Sequence, residues 1–297
     1  MEYVLKTDKL TKIYAGQPVV NEVSLSVQKG DIYGFVGKNG AGKTTLIRLV
    51  LGLARPSSGS FTLLSGDIRS ARRRTGSLIE APSLYGNMSA SENIRLCCKM
   101  LGADVSQTDS LLEQVGLSDT GRKHAADFSL GMKQRLGIAM ALVDDPEFLI
   151  LDEPINGLDP TGIVEIRELL LRLKDSGKTI MISSHILGEL EKIATRYGII
   201  SKGKLIEEIS SAELAEKCIK TTDITTNDPE KAAGLLRVLL KNESISPDRD
   251  GVIRITEKID NIGRITNELY TNDVVVAGIT SSGGDAEKYF IKKMEEG

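Results

Sequence analysis

Residues Gly37–Thr45 read GKNGAGKTT, placing Gly37, Gly40, Gly42, Lys43 and Thr44 on the spacing G-x-x-x-x-G-K-[ST]. Before them stands a short apolar run, IYGFVG. After them TTLIRLVLGL repeats Leu46, Leu49, Val50 and Leu53 at helical spacing. Strand, glycine-rich loop and helix, in that order, are the context a phosphate-binding loop requires. Glycines let the backbone close around phosphate, while exposed N–H groups and the helix dipole meet the negative charge. The Lys43 ammonium reaches the β- and γ-phosphates, and the Thr44 hydroxyl is offered to Mg²⁺. Lys38, Asn39, Ala41 and Thr45 complete the nucleotide-binding stretch. A tight glycine-rich turn is the bland alternative, and the flanking strand and helix leave it little room.

Working outward, FLILDEP ends a buried strand with Asp152 and Glu153. Strands that end at the same sheet edge as the loop bring such carboxylates to the nucleotide. Asp152 is assigned to Mg²⁺ through water, and Glu153 to accepting a proton from an attacking water. Taken alone, the two acids serve equally well as caps of the turn before Pro154. TIMISSH ends a further strand at His185, one of two histidines in the chain. A lone histidine is more often structural, but this one falls at a strand end beside the other phosphate-directed residues. The other, His124, receives no role.

The alternation of buried strands with helical stretches (TTLIRLVLGL, IVEIRELLLRLKDSG, ILGELEKIATRYG) implies a parallel sheet flanked by helices, an α/β class. VVNEVSLSV reads as one half-buried strand with Val23, Leu25 and Val27 on the same side. Between Pro82 and Pro146 the segments ASENIRLCCKML, QTDSLLEQVGL and MKQRLGIAMALVDD read as successive helices, a helical insertion at about 83–146. Beyond residue 210 strand candidates DITTN, GVIRIT and DVVVAGI alternate with helix candidates PEKAAGLLRVLLKN and KIDNIGRITNELYTN. This is a small α+β appendage over 211–297, and KYFIKKMEE within it is amphipathic.

A formal charge of −3 gives no broad electrostatic reason to expect nucleic acid. Three cysteines, none in a CxxC pair, point to neither a disulfide framework nor a zinc site, and a reducing compartment is expected. The N-terminus lacks the apolar core of a signal peptide, and no uncharged apolar stretch reaches the ~18 residues of a spanning helix. Arg72–Arg74 reads as a solvated face and Cys97–Cys98 as helix packing.

Taken together these motifs resemble the ATP-binding subunits of ABC transporters, in the family's order over about residues 3–208. GKNGAGKT stands as Walker A, FSLGM as the signature, FLILDE as Walker B, NGLD as the D-loop and SSH as the switch histidine. The resemblance implies a P-loop NTPase (RecA-like) core with an antiparallel β subdomain and the helical insertion, a nucleotide-binding domain over 1–210. It implies an ATPase requiring ATP and Mg²⁺, with Lys43, Glu153 and His185 catalytic and Thr44, Asp152 and Glu80 at the metal. It also implies that Tyr14 stacks on adenine and that Asp159 belongs to the nucleotide site. Two copies would pair head to tail, Ser129 and Gly131 of one facing the γ-phosphate on the other's Walker A loop. The helix start there contributes about 0.3–1 kcal/mol toward an anion. The implied partners are a second copy and an integral-membrane permease, with no nucleic acid, and the implied location is cytoplasmic, peripheral on the inner face of the cell membrane.

Two departures from the family pattern stand out. Leu130 replaces a second signature glycine, with Met132-Lys133 where glutamine is frequent, and Glu80 replaces the Q-loop glutamine. An ionised oxygen in place of a neutral one suits hard Mg²⁺. With APSLYGNMSASENI and SLGMKQRLGIAMAL, this glutamate is similar to the branch of bacterial exporters that confers bacitracin resistance and lantibiotic immunity. A soluble ATPase of the same superfamily acting on ribosomes or DNA is the alternative. Its usual marks, paired nucleotide domains, a long coiled coil or zinc cysteines, are not in the sequence. Intact Glu153 and His185 disfavour a nucleotide sensor without turnover.

Overall fold

The structure, a computed structural model, describes residues 2–218, 221–256, 262–282 and 285–296. The chain divides into two compact units, Met1–Ser211 with Phe290–Gly297, and Ala212–Tyr289.

In the first unit a six-stranded sheet runs Lys204–Ser210, Arg196–Ser201, Ile32–Val36, Thr179–Ser184, Phe148–Asp152, Thr75–Leu78. Neighbours are parallel except at the Lys204–Ser210 hairpin. Every residue of Ile32–Val36, Phe148–Asp152 and Thr179–Ser184 is buried. Such continuous apolar runs are what a parallel sheet covered on both faces demands. The strands therefore end at one edge, and the residues that follow Val36, Leu151 and Ser184 emerge side by side.

A second, antiparallel sheet is built on the long strand Tyr3–Tyr14, which pairs with Gln17–Val23, Ser26–Gln28 and Ser58–Leu63. Here VVNEVSLSV is not one strand. It breaks after Val23, beside Glu22 at φ 52, and resumes at Ser26. The one-sided pattern survives the break because Val23, Leu25 and Val27 all enter the same core.

Over the 82–146 stretch the helices are Ala90–Leu101, Thr108–Gln114 and Leu130–Ala141. The first is opened by a capping box. Ser89 Oγ accepts from Glu92 N at 3.3 Å while Glu92 Oε2 accepts from Ser89 N at 2.8 Å. These bonds hold the Glu92 carboxyl below its ordinary pKa.

A second expectation fails after His185. ILGELEKIATRYG forms only the short helix Leu187–Leu190 before the chain turns into the strand Arg196–Ser201. Its last residues, Arg196–Gly198, are claimed by pairing with Tyr33–Phe35, and this tertiary contact overrides the helical spacing.

In Ala212–Tyr289 the strands Val252–Ile255, Thr221–Thr226 and Val276–Ser282 lie in that order, all antiparallel. Helices Pro229–Leu240 and Ile262–Thr271 bury Leu236, Ile265 and Leu269 against Ile224 and Ile253. The first residues of KIDNIGRITNELYTN lie outside the described residues; its remainder is the helix Ile262–Thr271. KYFIKKMEE lies in the helix Ala286–Glu296.

Candidate functional site

The loop after Ile32–Val36 needs glycine for two different reasons. Gly40 and Gly42 lie at φ 80 and 106, the left-handed region that a Cβ disfavours. Gly37 is limited by space instead, since a Cβ there would stand 2.6 Å from the Ile200 carbonyl oxygen. The loop opens the helix Lys43–Leu51, so its amides precede a helix N-terminus. Lys43 is buried. Its Nζ donates to the Gly37 carbonyl at 2.6 Å and lies 3.3 Å from Glu153 Oε1. Lys38, Asn39 and Gly40 are exposed, and Asn39 and Gly40 line a cleft with Ala41, Thr45 and Glu153.

Asp152 is 1 % exposed, and both of its carboxylate oxygens are engaged. Thr44 Oγ1 donates to Oδ2 at 2.8 Å and Ser183 Oγ donates to Oδ1. Burying this charge is tolerable because each oxygen has a donor. The next residue, Glu153, is held at φ 51, a conformation costing about 1–3 kcal/mol outside glycine. Two bonds fix it there: Glu153 N donates to the Ser183 carbonyl at 3.0 Å and to Ser183 Oγ at 3.1 Å. The carboxylate so aimed meets His185 Nδ1 at 2.8 Å through Oε2. Oε1 faces Lys43 and accepts no hydrogen bond. Three neighbouring strands thus bring Lys43, Thr44, Asp152, Glu153 and His185 into one connected cluster.

The other expected residues stand apart from it. Ser129 is exposed and caps the helix Leu130–Ala141, its Oγ accepting from Met132 N at 3.2 Å. Gly131 follows in the first turn of that helix. Asp159 caps Pro160–Asp175, accepting from Gly162 N at 3.0 Å. Tyr14, 46 % exposed at the end of its strand, has Lys12 Nζ 4.8 Å from its ring centre. Glu80 sits at φ 58 and pairs with Arg48 at 2.6 Å. Among the described residues no hydrogen bond or ion pair joins these five to the cluster.

Two participants carry no assignment in the sequence reading. Ser183 orients both acids, and its signal was its place within SSH, at the same strand end as the histidine. Arg48, the partner of Glu80, lies on the exposed side of the loop's helix, and no motif marks it.

The sequence profile described as ABC transporter matches residues 20–156. The bacitracin transport ATP-binding protein BcrA of Enterococcus faecalis is 43% identical, over 98% of this chain and 96% of its own. The lantibiotic transport ATP-binding protein SrtF of Streptococcus pyogenes is 46% identical over 69% of this chain and 90% of its own. Among solved structures, cbiO1 from Clostridium perfringens, described as part of the ABC transporter complex cbiONQ, aligns with TM-score 0.66 at 27% identity. That alignment covers 73% of this chain and 92% of cbiO1.

Proposed function

We propose, from the premise that this chain belongs to the ABC transporter family as an ATP-binding, ATP-hydrolysing subunit, that it energises export of a peptide antibiotic through a separate permease. The observation that carries the catalytic reading is the convergence of Lys43, Asp152, Glu153 and His185 at one sheet edge. The loop amides receive the phosphates. Lys43 turns from the Gly37 carbonyl to the β- and γ-phosphates, because a triphosphate offers more negative charge than a carbonyl and one carboxylate. That movement frees Glu153 Oε1. Glu153 then accepts a proton from the attacking water as the water oxygen bonds to the γ-phosphorus and the bond to the ADP oxygen breaks. His185, held by Glu153 Oε2, faces the departing phosphoryl group.

Thr44 and Asp152 offer a hydroxyl and a carboxylate 2.8 Å apart, hard oxygen donors that fit Mg²⁺. When bound, the ion supplies charge neutralisation on the β- and γ-phosphates. Glu80 enters that set only after giving up Arg48. Ser129 and Gly131 are outside the cluster of their own chain, which supports a head-to-tail dimer in which each copy completes the other's site. Asp159 lies next to that helix tip: a Cβ on Gly131 would be 3.9 Å from Gly162 Cα, three residues past the Asp159 cap.

Among the described residues no helix is long and apolar enough to cross a membrane; in this reading the permease supplies the transport path and this chain works against the inner face of the membrane. A cavity of about 760 Å³ lined by Ile79 and Ala81, the neighbours of Glu80, and by the exposed Met100 and Leu101, is the surface we assign to that partner. The peptide substrate is inferred from the relatives named for bacitracin and lantibiotic transport.

Glu153→Gln tests the catalytic reading. It should keep ATP binding, slow hydrolysis at least ~100-fold and leave the ATP-bound dimer long-lived in sedimentation. Unchanged turnover would remove Glu153 from the role of base. Loss of the gene should sensitise cells to a peptide antibiotic, and co-purification with ribosomes instead of a membrane protein would reverse the transport reading.

A further inference from the structure

The three described strands of Ala212–Tyr289 leave two edges with opposite character. Val252–Ile255 is bridged on its outer side, Ile253 to Pro247, and carries Arg254, whose Nε and Nη2 donate to the two oxygens of Asp223 at 2.8 and 2.9 Å. Proline and charge are standard obstacles to the addition of a foreign strand. Val276–Ser282, VAGITSS, has neither, its one interruption being the register shift at Ala277 opposite Thr225 and Thr226. Among the described residues no strand pairs with its outer side.

Beside this open edge runs a groove of about 680 Å³ between the strand and the helix Ile262–Thr271. One wall is a helical stripe of Gly263, Thr266, Asn267 and Tyr270, and among the described residues no carboxylate, ammonium or guanidinium lines the groove. Tyr270 is 76 % exposed and Val275 58 % exposed at its rim. Gly278, in the middle of the strand, faces open space: a Cβ there would meet nothing within 4 Å.

An uncharged groove alongside an unpaired strand edge accepts an uncharged extended segment. The chain's own Val276–Ser282 is such a segment. Two identical edges are self-complementary about a two-fold axis, because antiparallel partners exchange the same hydrogen bonds in both directions. A strand already ordered in its sheet also forfeits less conformational entropy on pairing than a free peptide does. We propose that this edge is a second contact between two copies of the chain, each laying Val276–Ser282 antiparallel to its twin while Tyr270 and Val275 close over the joint. It rests on the proposed function only in that two copies work together. It needs no nucleotide, so the copies stay tethered after hydrolysis and their ATP sites meet again at high effective concentration.

The test uses the full chain carrying Lys43→Ala, without nucleotide, so that pairing through ATP makes no contribution. Sedimentation is expected to show a reversible dimer. Adding Val275→Lys should raise the midpoint of dimerisation at least about tenfold in concentration. That substitution leaves in place the backbone bonds of Val275 to Asn227, at 2.8 and 3.1 Å, and an unchanged thermal melt verifies the fold. Independently, Ala277→Cys, Gly278→Cys and Thr280→Cys, each with Cys97, Cys98 and Cys218 changed to Ser, should give a disulfide-linked dimer for at least one position. Monomer at every concentration with no cross-link at any position overturns the proposal. So does a dimer indifferent to Val275→Lys and free of such cross-links, or a groove that captures a neutral extended peptide while the chain stays monomeric. The ATP-dependent dimer of Glu153→Gln is read separately, so failure of one contact is distinguishable from failure of the other.

Discussion

At the scale of single residues, two side chains are asked to do more than one thing. Lys43 neutralises Glu153 and closes the loop on Gly37, yet the proposed chemistry needs it on phosphate. Asp159 caps a helix through Gly162 N, while the proposed head-to-tail pairing gives it a second duty toward the nucleotide of the paired copy. The two duties of Asp159 are separable because asparagine caps as well as aspartate does. Asp159→Ala should lower stability by about 0.5–2 kcal/mol. Asp159→Asn should leave stability nearly unchanged and slow ATP turnover about tenfold. Thermal melts alongside steady-state hydrolysis separate the two, and full activity in Asp159→Asn would leave the residue as a cap only.

At the scale of elements, the edge strand Thr75–Leu78 is held close to the helix Leu130–Ala141. A Cβ on Gly76 would lie 1.9 Å from the Ala141 carbonyl oxygen and 2.8 Å from Leu149 Cδ2. Backbone cannot yield as a flexible side-chain end does, so helix and strand would have to part. Gly76→Ala should cost about 1–3 kcal/mol in denaturant unfolding. It should also disturb the segment Ile79–Ala81 that follows the strand, and with it the assembly with the permease. A substitution tolerated without loss of stability would contradict the contact. The same strand illustrates the limit of motif reading: TGSL is four residues without apolar alternation, and pairing with Phe148–Leu151 makes it a strand.

At the scale of the whole molecule, the last helix ties the chain end to the nucleotide-binding unit. Phe290 is fully buried with its ring 5.2 Å from that of Tyr197, and Ser201 Oγ donates to the Met294 carbonyl at 2.9 Å. Burial around this contact pushes the Tyr197 phenol up to about 12. Tyr197 belongs to the strand beside Ile32–Val36, which leads directly into the phosphate loop. Phe290→Ala should therefore destabilise the nucleotide-binding unit by about 3–5 kcal/mol, although it lies 137 residues beyond Glu153 in the sequence. Calorimetry with and without ATP would register the loss, and a stabilising effect of ATP equal to wild type at the lower melting point would show the site itself intact. Removing everything after residue 211 should have at least the same cost.

The sequence by itself determined the glycine-rich loop with Lys43, the two acids Asp152 and Glu153 at one strand end, His185 at another, and the alternation of a parallel core. Those features depend on residue type at fixed local spacing, where glycine, lysine and carboxylate leave few substitutes. It also placed the helices of the insertion by their periodicity, two of them opened by the caps Ser89 and Ser129. Only the tertiary structure decided that Ser183 orients both acids, that Glu80 is drawn to Arg48, and that the run after His185 abandons its helix for a strand. It alone decided that the chain end packs on Tyr197 and that, among the described residues, no strand pairs with the outer side of Val276–Ser282. Each of these depends on partners far apart along the chain, whose meeting is fixed by strand order and packing and leaves no pattern in local sequence.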